Sequence, residues 1–306
     1  NESISYSFEF LTKVLNIPIE RLAVTVYAGD KNIPFDEVSH NKWLSLGIKK
    51  ERIARTVEDN FWIAGASGPC GPDTEIFYFR SNDEIPENFD PEDERWVEIW
   101  NNVFMQYFKD EDGNVTELPK KNVDTGMGVE RVTAILEGVN DNYISSIWKD
   151  VIEKIEEISS LPYEGNEKPM RIIADHIRTS VFILADYAFI KPSNTDQGYI
   201  LRRLIRRTIR YAKMLNIDID SNFEEILANL IIDKYKKYYK ELEENRNIVL
   251  EELKKEKIKF NKTLSKGLKE FDKMVSSLQD NKLNKDLDID KEEIKNASVN
   301  VKKIIG

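Results

Sequence analysis

Apolar and polar residues alternate differently in the two parts of this sequence, and the change falls near residue 140. Before that point, short segments alternate apolar with polar residues or carry β-branched and aromatic runs, as strands do. After it, apolar residues recur every three or four positions, as in the amphipathic helices predicted at 143–159, 170–188 and 198–215. The pattern predicts an α+β fold, an antiparallel sheet with flanking helices followed by an all-helical domain.

Besides a mixed segment at 122–138, the first part contains six strand-like segments and one helical segment. The predicted strands lie at 22–30, 52–57, 60–65, 75–79, 97–108 and 115–119. Asp112 and Gly113 between the last two predict a tight hairpin turn. Residues 5–15 have helical spacing, and residues 122–138 are predicted as a short strand, a glycine-containing turn and a helix that ends at Gly138. The turn-rich segment 65–73 is predicted as a loop.

Three domains follow from these elements. Residues 1–140 are expected to form the sheet domain and residues 141–280 the helical domain. The latter ends in two long helices that meet near Glu244 and Asn245 as an antiparallel hairpin. Beyond residue 280 large apolar residues are few, so 281–306 is expected to be a poorly packed polar tail.

Charge is unevenly distributed along the chain. The net charge of −10 argues against indiscriminate nucleic-acid binding and leaves room for a local basic face. Residues 202–213 supply such a face, with five arginines, one lysine and no acid. Residues 82–99 are rich in acids and contain Pro86 and Pro91, which predicts an exposed loop.

Composition excludes several classes of protein. No stretch approaches the roughly 20 apolar residues of a membrane helix, and the start of the chain does not resemble a secretory signal. The one cysteine, Cys70, rules out an internal disulfide and fits a reducing compartment, so a cytoplasmic protein is expected. Since His40 and His176 are the only histidines, no Cys/His zinc site is expected.

Three segments depart from these patterns, and each has an ordinary structural interpretation. Residues 61–72 hold two Gly-Pro dipeptides beside Trp62, residues 98–106 set amides among large apolar groups, and residues 124–131 form a glycine-rich turn that ends in arginine. Taken singly, Trp62 is a typical core aromatic, Asn101 can serve its own strand's backbone, and Asp124 can cap a helix.

Together, in this order, the segments resemble the alanyl-tRNA synthetase family of class II aminoacyl-tRNA synthetases. The first is similar to the family's G-x-T-G-P-C-G-P-C signature, the second to E-I-W-N-x-V-F-M-Q, and the third to D-T-G-M-G-x-E-R, the third class II motif. Residues 174–178 resemble A-D-H-x-R. Residues 192–194 and 198–207 resemble P-S-N followed by G-Y-x-L-R-R-x-x-R-R. The similarity extends from about residue 5 to about residue 275.

Departures from the family pattern limit what the resemblance implies. Ala66 and Ser67 stand where the signature usually has Asp-Thr, and Asp73 replaces its second cysteine. These 306 residues contain no counterpart of the first two class II motifs, of the acidic segment after the last helix, or of the editing and C-terminal domains. We therefore expect residues 1–140 to be the C-terminal part of a class II aminoacylation domain, in an internal piece of such an enzyme or a reduced relative.

The resemblance implies a two-step reaction. Alanine attacks the α-phosphorus of ATP to give alanyl-adenylate and pyrophosphate, and the alanyl group then passes to the 3′ end of tRNA(Ala). The alanine contacts implied are Trp62, Asn101 and Asp124. The implied ATP contacts are Gly126, Gly128 and Arg131, with Mg²⁺ accompanying the nucleotide. No residue is assigned as a general acid or base.

The basic segment is implied to contact the tRNA acceptor stem. Asn194 matches a family residue that reads a G·U pair. The phosphate contacts implied are Arg202, Arg203, Arg206, Arg207, Arg210 and Lys213. On charge alone, a solvated basic face that balances acidic neighbours is an equally good interpretation.

Two alternatives remain open from the sequence. The first is a catalytically inactive relative that binds RNA or a partner. The second is an α+β scaffold whose C-terminal helices form coiled-coil contacts, although the heptad pattern in 233–279 is patchy.

Overall fold

A computed structural model describes residues 1–280, and the chain divides into two compact units after Ile147. The first unit is built on a six-stranded sheet. Its strands are β1 (Leu22–Tyr27), β2 (Ile53–Thr56), β3 (Phe61–Ile63), β4 (Gly68–Phe79), β5 (Trp96–Lys109) and β6 (Val115–Met127). They lie in the order β2-β1-β4-β5-β6, and β3 pairs with β4.

The sheet is mixed, because β2 runs parallel to β1 while the other pairs are antiparallel. The prediction of an antiparallel sheet was therefore wrong for β2. The chain between β1 and β2 contains helix α2 (Glu37–Ser45), and such a crossover is what a parallel pair requires. Asp36 caps this helix, since its Oδ1 accepts a hydrogen bond from the Ser39 amide at 3.0 Å.

One face of the sheet carries the main core. Helix α1 (Glu2–Glu9), extended by a π-helical turn at Phe10–Val14, packs with α2 on this face. Ile4, Leu11, Val24, Trp43 and Ile76 are fully or almost fully buried there. Removing these groups from water is the main source of stability for this unit.

Ala23, next to the core residue Val24, belongs to a smaller cluster on the opposite face of the sheet. The rings of Phe79, Phe89 and Trp96 meet with centroids 5.0–5.1 Å apart. Phe89 and Trp96 both come from the acidic segment 82–99, so two aromatic side chains anchor this segment. Strand β5 begins at Trp96, one residue before the strand predicted at 97–108, so the loop predicted over 82–99 overlaps the start of β5.

The Gly-Pro segment is a strand from Gly68 onward, so the loop predicted at 65–73 was wrong for residues 68–73. Gly68 to Pro72 form the start of β4, with β3 on one side and β5 on the other. A register shift between Cys70 and Asp73 accommodates the irregular backbone. Gly71 is required here, because a Cβ would collide with the carbonyl oxygen of Phe104 on β5.

A second difference concerns β6. The two short strands predicted at 115–119 and near 122–125 are one strand of 13 residues, paired with β5 along its length apart from one register shift. Gly128 then caps helix α3 (Val129–Leu136).

Every element described in the second unit is a helix. The helices are α4 (Lys149–Ser159), α5 (Glu167–Ala185), α6 (Asp196–Met214), α7 (Phe223–Tyr235), α8 (Lys240–Glu244) and α9 (Arg246–Asp280). Helix α9 packs against α5, α6 and α7. The tail predicted for 281–306 lies outside the described residues.

The long helix predicted over 222–242 is divided into α7 and α8. The break at residues 236–239 brings Asp233 and Glu243 to the same guanidinium, that of Arg246, at 2.7 and 2.5 Å. None of the helices within residues 1–280 is long and apolar enough to cross a bilayer.

We expect Trp43→Phe to lower the free energy of unfolding of the first unit by about 1–3 kcal/mol. The Trp43 indole is fully buried and donates to Thr74 Oγ1 at 2.8 Å, so the substitution leaves a small cavity and removes a buried donor. Urea denaturation followed by circular dichroism measures the change. Tyr6→Phe is the control, because Tyr6 is 70% exposed and should shift stability by less than about 0.5 kcal/mol. Equal effects of the two substitutions would contradict this account.

Candidate functional site

Strand β5 brings several of the predicted site residues together. Asn101 lies opposite Glu75 on β4 and opposite Gly126 on β6, while Asp124 on β6 lies opposite Val103. Residues opposite each other share a face of the sheet, and residues two apart on one strand do as well. Asn101, Asp124 and Gly126 therefore occupy neighbouring positions on the face opposite the main core.

The two adjacent asparagines of β5 have different environments. Asn102 points to the core side, where its Oδ1 accepts from Ser3 Oγ at 2.6 Å and its Nδ2 donates to Ser7 Oγ at 3.1 Å. Asn101 points to the other face and its Nδ2 donates to Asp73 Oδ2 at 2.7 Å. Its Oδ1 has no hydrogen-bond partner among the described residues and is shielded from solvent. Of the two, Asn101 is the one that has capacity for a ligand.

Asp124 and Gly126 border open space. The Asp124 side chain is exposed, and its Oδ1 accepts from the Thr125 amide at 2.9 Å, which leaves the second carboxylate oxygen free of this contact. A Cβ built on Gly126 would meet no atom within 4 Å. A ligand can therefore approach the backbone of β6 beside the carboxylate.

Arg131 lies at the start of α3 and is held by β5. Its Nη1 donates to the Glu98 carbonyl oxygen at 2.6 Å and to Glu98 Oε2 at 2.9 Å. Gly128 makes room for this side chain, since a Cβ there would lie 3.2 Å from Arg131 Cδ. Both members of the ion pair are partly exposed, so the guanidinium keeps donors that face solvent.

Trp62 is the predicted alanine contact that lies outside β5 and β6. It lies on β3 opposite Gly71 of β4, on the far side of β4 from β5. Within residues 1–280, no hydrogen bond or ring contact joins it to Asn101 or Asp124.

Three carboxylates near Asn101, those of Asp73, Glu75 and Glu98, were not predicted as site residues from the sequence. Burial, together with the nearby charge of Glu98, raises the pKa of Asp73 to about 6 and that of Glu75 to about 7. Thr25 Oγ1 donates to Glu75 Oε2 at 3.0 Å. The available signal was the placing of acids at alternate positions, 73 and 75, of an otherwise apolar strand.

The predicted RNA contacts, on α6 and in the loop before it, fall into two groups. Asn194, Arg203 and Arg207 are exposed. The guanidinium carbons of Arg202 and Arg203 lie 5.2 and 5.7 Å from the centroid of the Tyr199 ring, which forms a mixed basic and aromatic surface.

The other arginines of α6 are engaged within the second unit. Arg206 Nε donates to Glu256 Oε1 at 2.6 Å, and the Glu256 side chain is only 5% exposed. Arg210 is partly buried beside the Tyr211 ring. Lys213 is also partly buried.

Metal binding was tested on the same residues. Within the range 1–280, no three His, Cys, Asp or Glu side chains converge in a way that would hold a metal ion. The charge of Glu98 raises the pKa of Asp73 and that of Glu75, although the three carboxylates do not form such a group.

We expect Glu75→Gln to stabilise the first unit at pH 8 relative to the unsubstituted protein. Because the pKa of Glu75 is raised from 4.5 to about 7 in the folded state, its carboxyl lowers stability progressively as pH rises from about 4.5 through 7. The stability difference should therefore vanish near pH 4.5. Urea denaturation at several pH values measures it, with the exposed Glu84→Gln as control. A loss of stability at pH 8 would contradict the raised pKa.

Comparisons with known proteins show the family of this chain. The family model described as tRNA synthetases class II (A) matches residues 1–292. The alanine–tRNA ligase of Borrelia hermsii is 47% identical over 288 residues, which cover 90% of this chain and 48% of the relative. That of Treponema denticola is 49% identical over 258 residues, covering 81% and 43%. That of Francisella philomiragia is 42% identical over 282 residues, covering 91% and 31%.

The chain spans about half the length, or less, of these curated relatives. The family match nevertheless covers almost the whole chain, including the strands that carry Asn101 and Asp124 and the basic helix α6. The chain therefore belongs to the family of class II tRNA synthetases (A), as the resemblance of its motifs to alanyl-tRNA synthetases indicates.

Proposed function

We propose that this chain is part of an alanine–tRNA ligase, which activates alanine with ATP and transfers it to the 3′ end of tRNA(Ala). Relatives of that name are 40–49% identical to most of the chain. The observation that carries the proposal is the placement of Asn101, Asp124 and Gly126 on one face of the sheet, beside the Arg131–Glu98 pair.

Asp124 is proposed to bind the α-ammonium group of alanine. It is an exposed carboxylate at the border of open space, and a carboxylate forms a short, charge-assisted hydrogen bond with an ammonium group. Asn101 is proposed to contact the same substrate with its amide. Trp62 is proposed to limit the space for the substrate side chain from β3.

Gly126, Gly128 and Arg131 are proposed to form the nucleotide platform. The open space over Gly126 allows a nucleotide to approach the backbone closely. Arg131 keeps a planar, permanently charged fork that suits a phosphate or an adenine ring, with Glu98 fixing its position. Mg²⁺ is expected to accompany ATP, and we assign it no protein ligand.

Catalysis in this proposal comes from positioning and charge. The alanine carboxylate is itself the nucleophile, and the enzyme must hold it in line with the α-phosphorus while phosphate charge is neutralised. No side chain of the site has to accept or donate a proton in that step. The raised pKa values of Asp73 and Glu75 therefore need no acid or base role to explain them.

We expect Asp124→Asn to reduce alanine-dependent ATP–pyrophosphate exchange by about 10- to 100-fold in kcat/KM for alanine, because the neutral amide loses the charge-assisted bond. The assay uses the gene product that contains these 306 residues. Asp112→Asn is the matched control, since Asp112 is exposed at the hairpin tip. Unchanged alanine kinetics in Asp124→Asn would rule out its role. Absence of exchange in the unsubstituted protein would favour the inactive, RNA-binding relative.

The exposed part of α6 is proposed to contact the acceptor stem of tRNA(Ala). Arg203 and Arg207 are proposed to contact phosphate groups, and Asn194 is proposed to contact a base edge. Arg202 and Arg210 are expected to contribute less, because the Nε of each is buried. The charge of Arg206 is already neutralised by Glu256, so its role is to join α6 to α9.

We expect the double substitution Arg203→Gln and Arg207→Gln to weaken tRNA(Ala) binding and to reduce the salt slope of log Kd by about one for each lost phosphate contact. Filter binding over a range of salt concentrations measures both quantities. Lys168→Gln, on the exposed side of α5, is the control for a change of charge. Equal slopes for the double variant and the unsubstituted protein would leave α6 without an RNA role.

A further inference from the structure

Asp73 is the residue of the candidate site at which this chain departs from its family signature. The signature has a cysteine at this position, and here a carboxylate lies in β4 with only 2% of its surface exposed. Its Oδ2 accepts a hydrogen bond from Asn101 Nδ2 at 2.7 Å. The departure therefore touches the side chain that is proposed to contact the substrate.

The chemistry of the pair dictates the orientation of the amide. An ionised carboxylate can only accept hydrogen bonds, so Asn101 must turn Nδ2, its donor, toward Asp73. Oδ1 is left without a partner within residues 1–280. Asn102 shows the contrast, because both atoms of its amide are engaged by hydroxyl groups of α1.

Two residues of β6 indicate which kind of ligand the unpaired Asn101 Oδ1 could accept a hydrogen bond from. Gly126 lies directly opposite Asn101 and has open space where a side chain would be. Asp124, two residues away on the same face, is an exposed anion. An amide oxygen and a carboxylate at neighbouring positions on one face of a sheet favour a cationic N–H donor.

We propose that Asp73 is a positioning residue, which fixes the Asn101 amide with Oδ1 as a hydrogen-bond acceptor for the ammonium group of the amino-acid substrate. The inference rests on the proposed function and deepens it, since it assigns the orientation of the substrate-binding amide to a residue that the family signature does not contain. Oδ1 is shielded from solvent, so the proposal requires neighbouring side chains to shift when the substrate binds.

Protonation of Asp73 should permit the reverse orientation, because a carboxylic acid can donate a hydrogen bond as well as accept one. The pKa of Asp73 is raised to about 6 by burial, which outweighs the hydrogen bonds to Asn101 and Asn60. Glu75 and Glu98 are the other anions that face this group, and Arg131 is paired with Glu98. Once protonated, Asp73 can donate to Asn101 Oδ1, and the amide then presents Nδ2 to the ligand. An N–H group repels an ammonium donor, so alanine binding should weaken as the pH falls through about 6.

The test is the alanine KM in ATP–pyrophosphate exchange, measured with the gene product that contains this chain between about pH 5.5 and 8. Asparagine at position 73 can accept or donate, so it allows both orientations of the Asn101 amide. We expect Asp73→Asn to raise the alanine KM by about three- to tenfold near pH 8, with kcat and the ATP KM within about twofold. The increase in KM on acidification should also disappear in this variant.

A second variant guards against a purely structural effect. Asp73→Cys restores the family residue, and because a thiol is a weak acceptor the alanine KM should rise here as well. Asp112→Asn at the exposed hairpin tip makes the same chemical change as Asp73→Asn and should alter neither KM nor its pH dependence.

The outcomes are distinguishable. If the unsubstituted protein exchanges with alanine and both Asp73 variants keep its KM and pH profile, the positioning role is overturned while the proposed function stands. A loss of stability with unchanged alanine KM likewise overturns it. If the unsubstituted protein shows no alanine-dependent exchange, the proposed function fails and the inference fails with it.

Discussion

Side chains along a strand alternate between the two faces of a sheet, and β5 depends on this alternation to keep its two asparagines apart. Asn102 is tied into the core by hydroxyl groups of α1, and Asn101 is left for the opposite face. A shift of one residue in the pairing of β5 would exchange their positions and put the wrong amide beside Asp124. The register with β4 and β6 is therefore the condition on which the candidate site depends.

The core on the other face is what holds that register. Thr74 is opposite Asn102, and its hydroxyl donates to the Thr25 carbonyl oxygen at 2.5 Å while it accepts from Trp43. These buried polar contacts have no equivalent partners one residue away, so a slipped strand would leave them unsatisfied. The apolar groups around them exclude water and strengthen the preference. The core thus specifies geometry as well as stability.

The candidate site works against stability. Asp73 and Glu75 are buried enough that their pKa values rise to about 6 and 7, which means that near neutral pH the fold has to hold charges that it disfavours. A chain selected only for stability would replace them with neutral groups. Their presence next to Asn101 and Asp124 is consistent with polar groups kept for binding rather than for the fold.

Sequence reasoning captured what depends on local pattern. The division into a sheet part and a helical part, the hairpin before β6 and the helix after Gly128 all follow from periodicity and turn residues. It failed where pairing between distant segments decides the structure. The Gly-Pro segment becomes a strand because β3 and β5 pair with it, and β2 is parallel because of the crossover through α2. No window of sequence around Asp73 shows that Asn101 will be its partner.

The same limit applies to charge in the second unit. Arg203 and Arg206 belong to one repeated pattern on α6, and nothing within that helix separates their roles. The separation comes from Glu256, fifty residues later in the chain, whose buried carboxylate takes up the charge of Arg206. Lys257, the next residue, forms a second buried pair with Glu224 on α7, so α9 uses charged side chains to bind two helices. Removing one partner of such a buried pair strongly destabilises the folded protein, whereas substitution of an exposed arginine on the same helix changes stability little. A basic helix can therefore carry arginines of two kinds at adjacent turns, and which of them is available to a nucleic acid is decided by the acids on the helices packed against it.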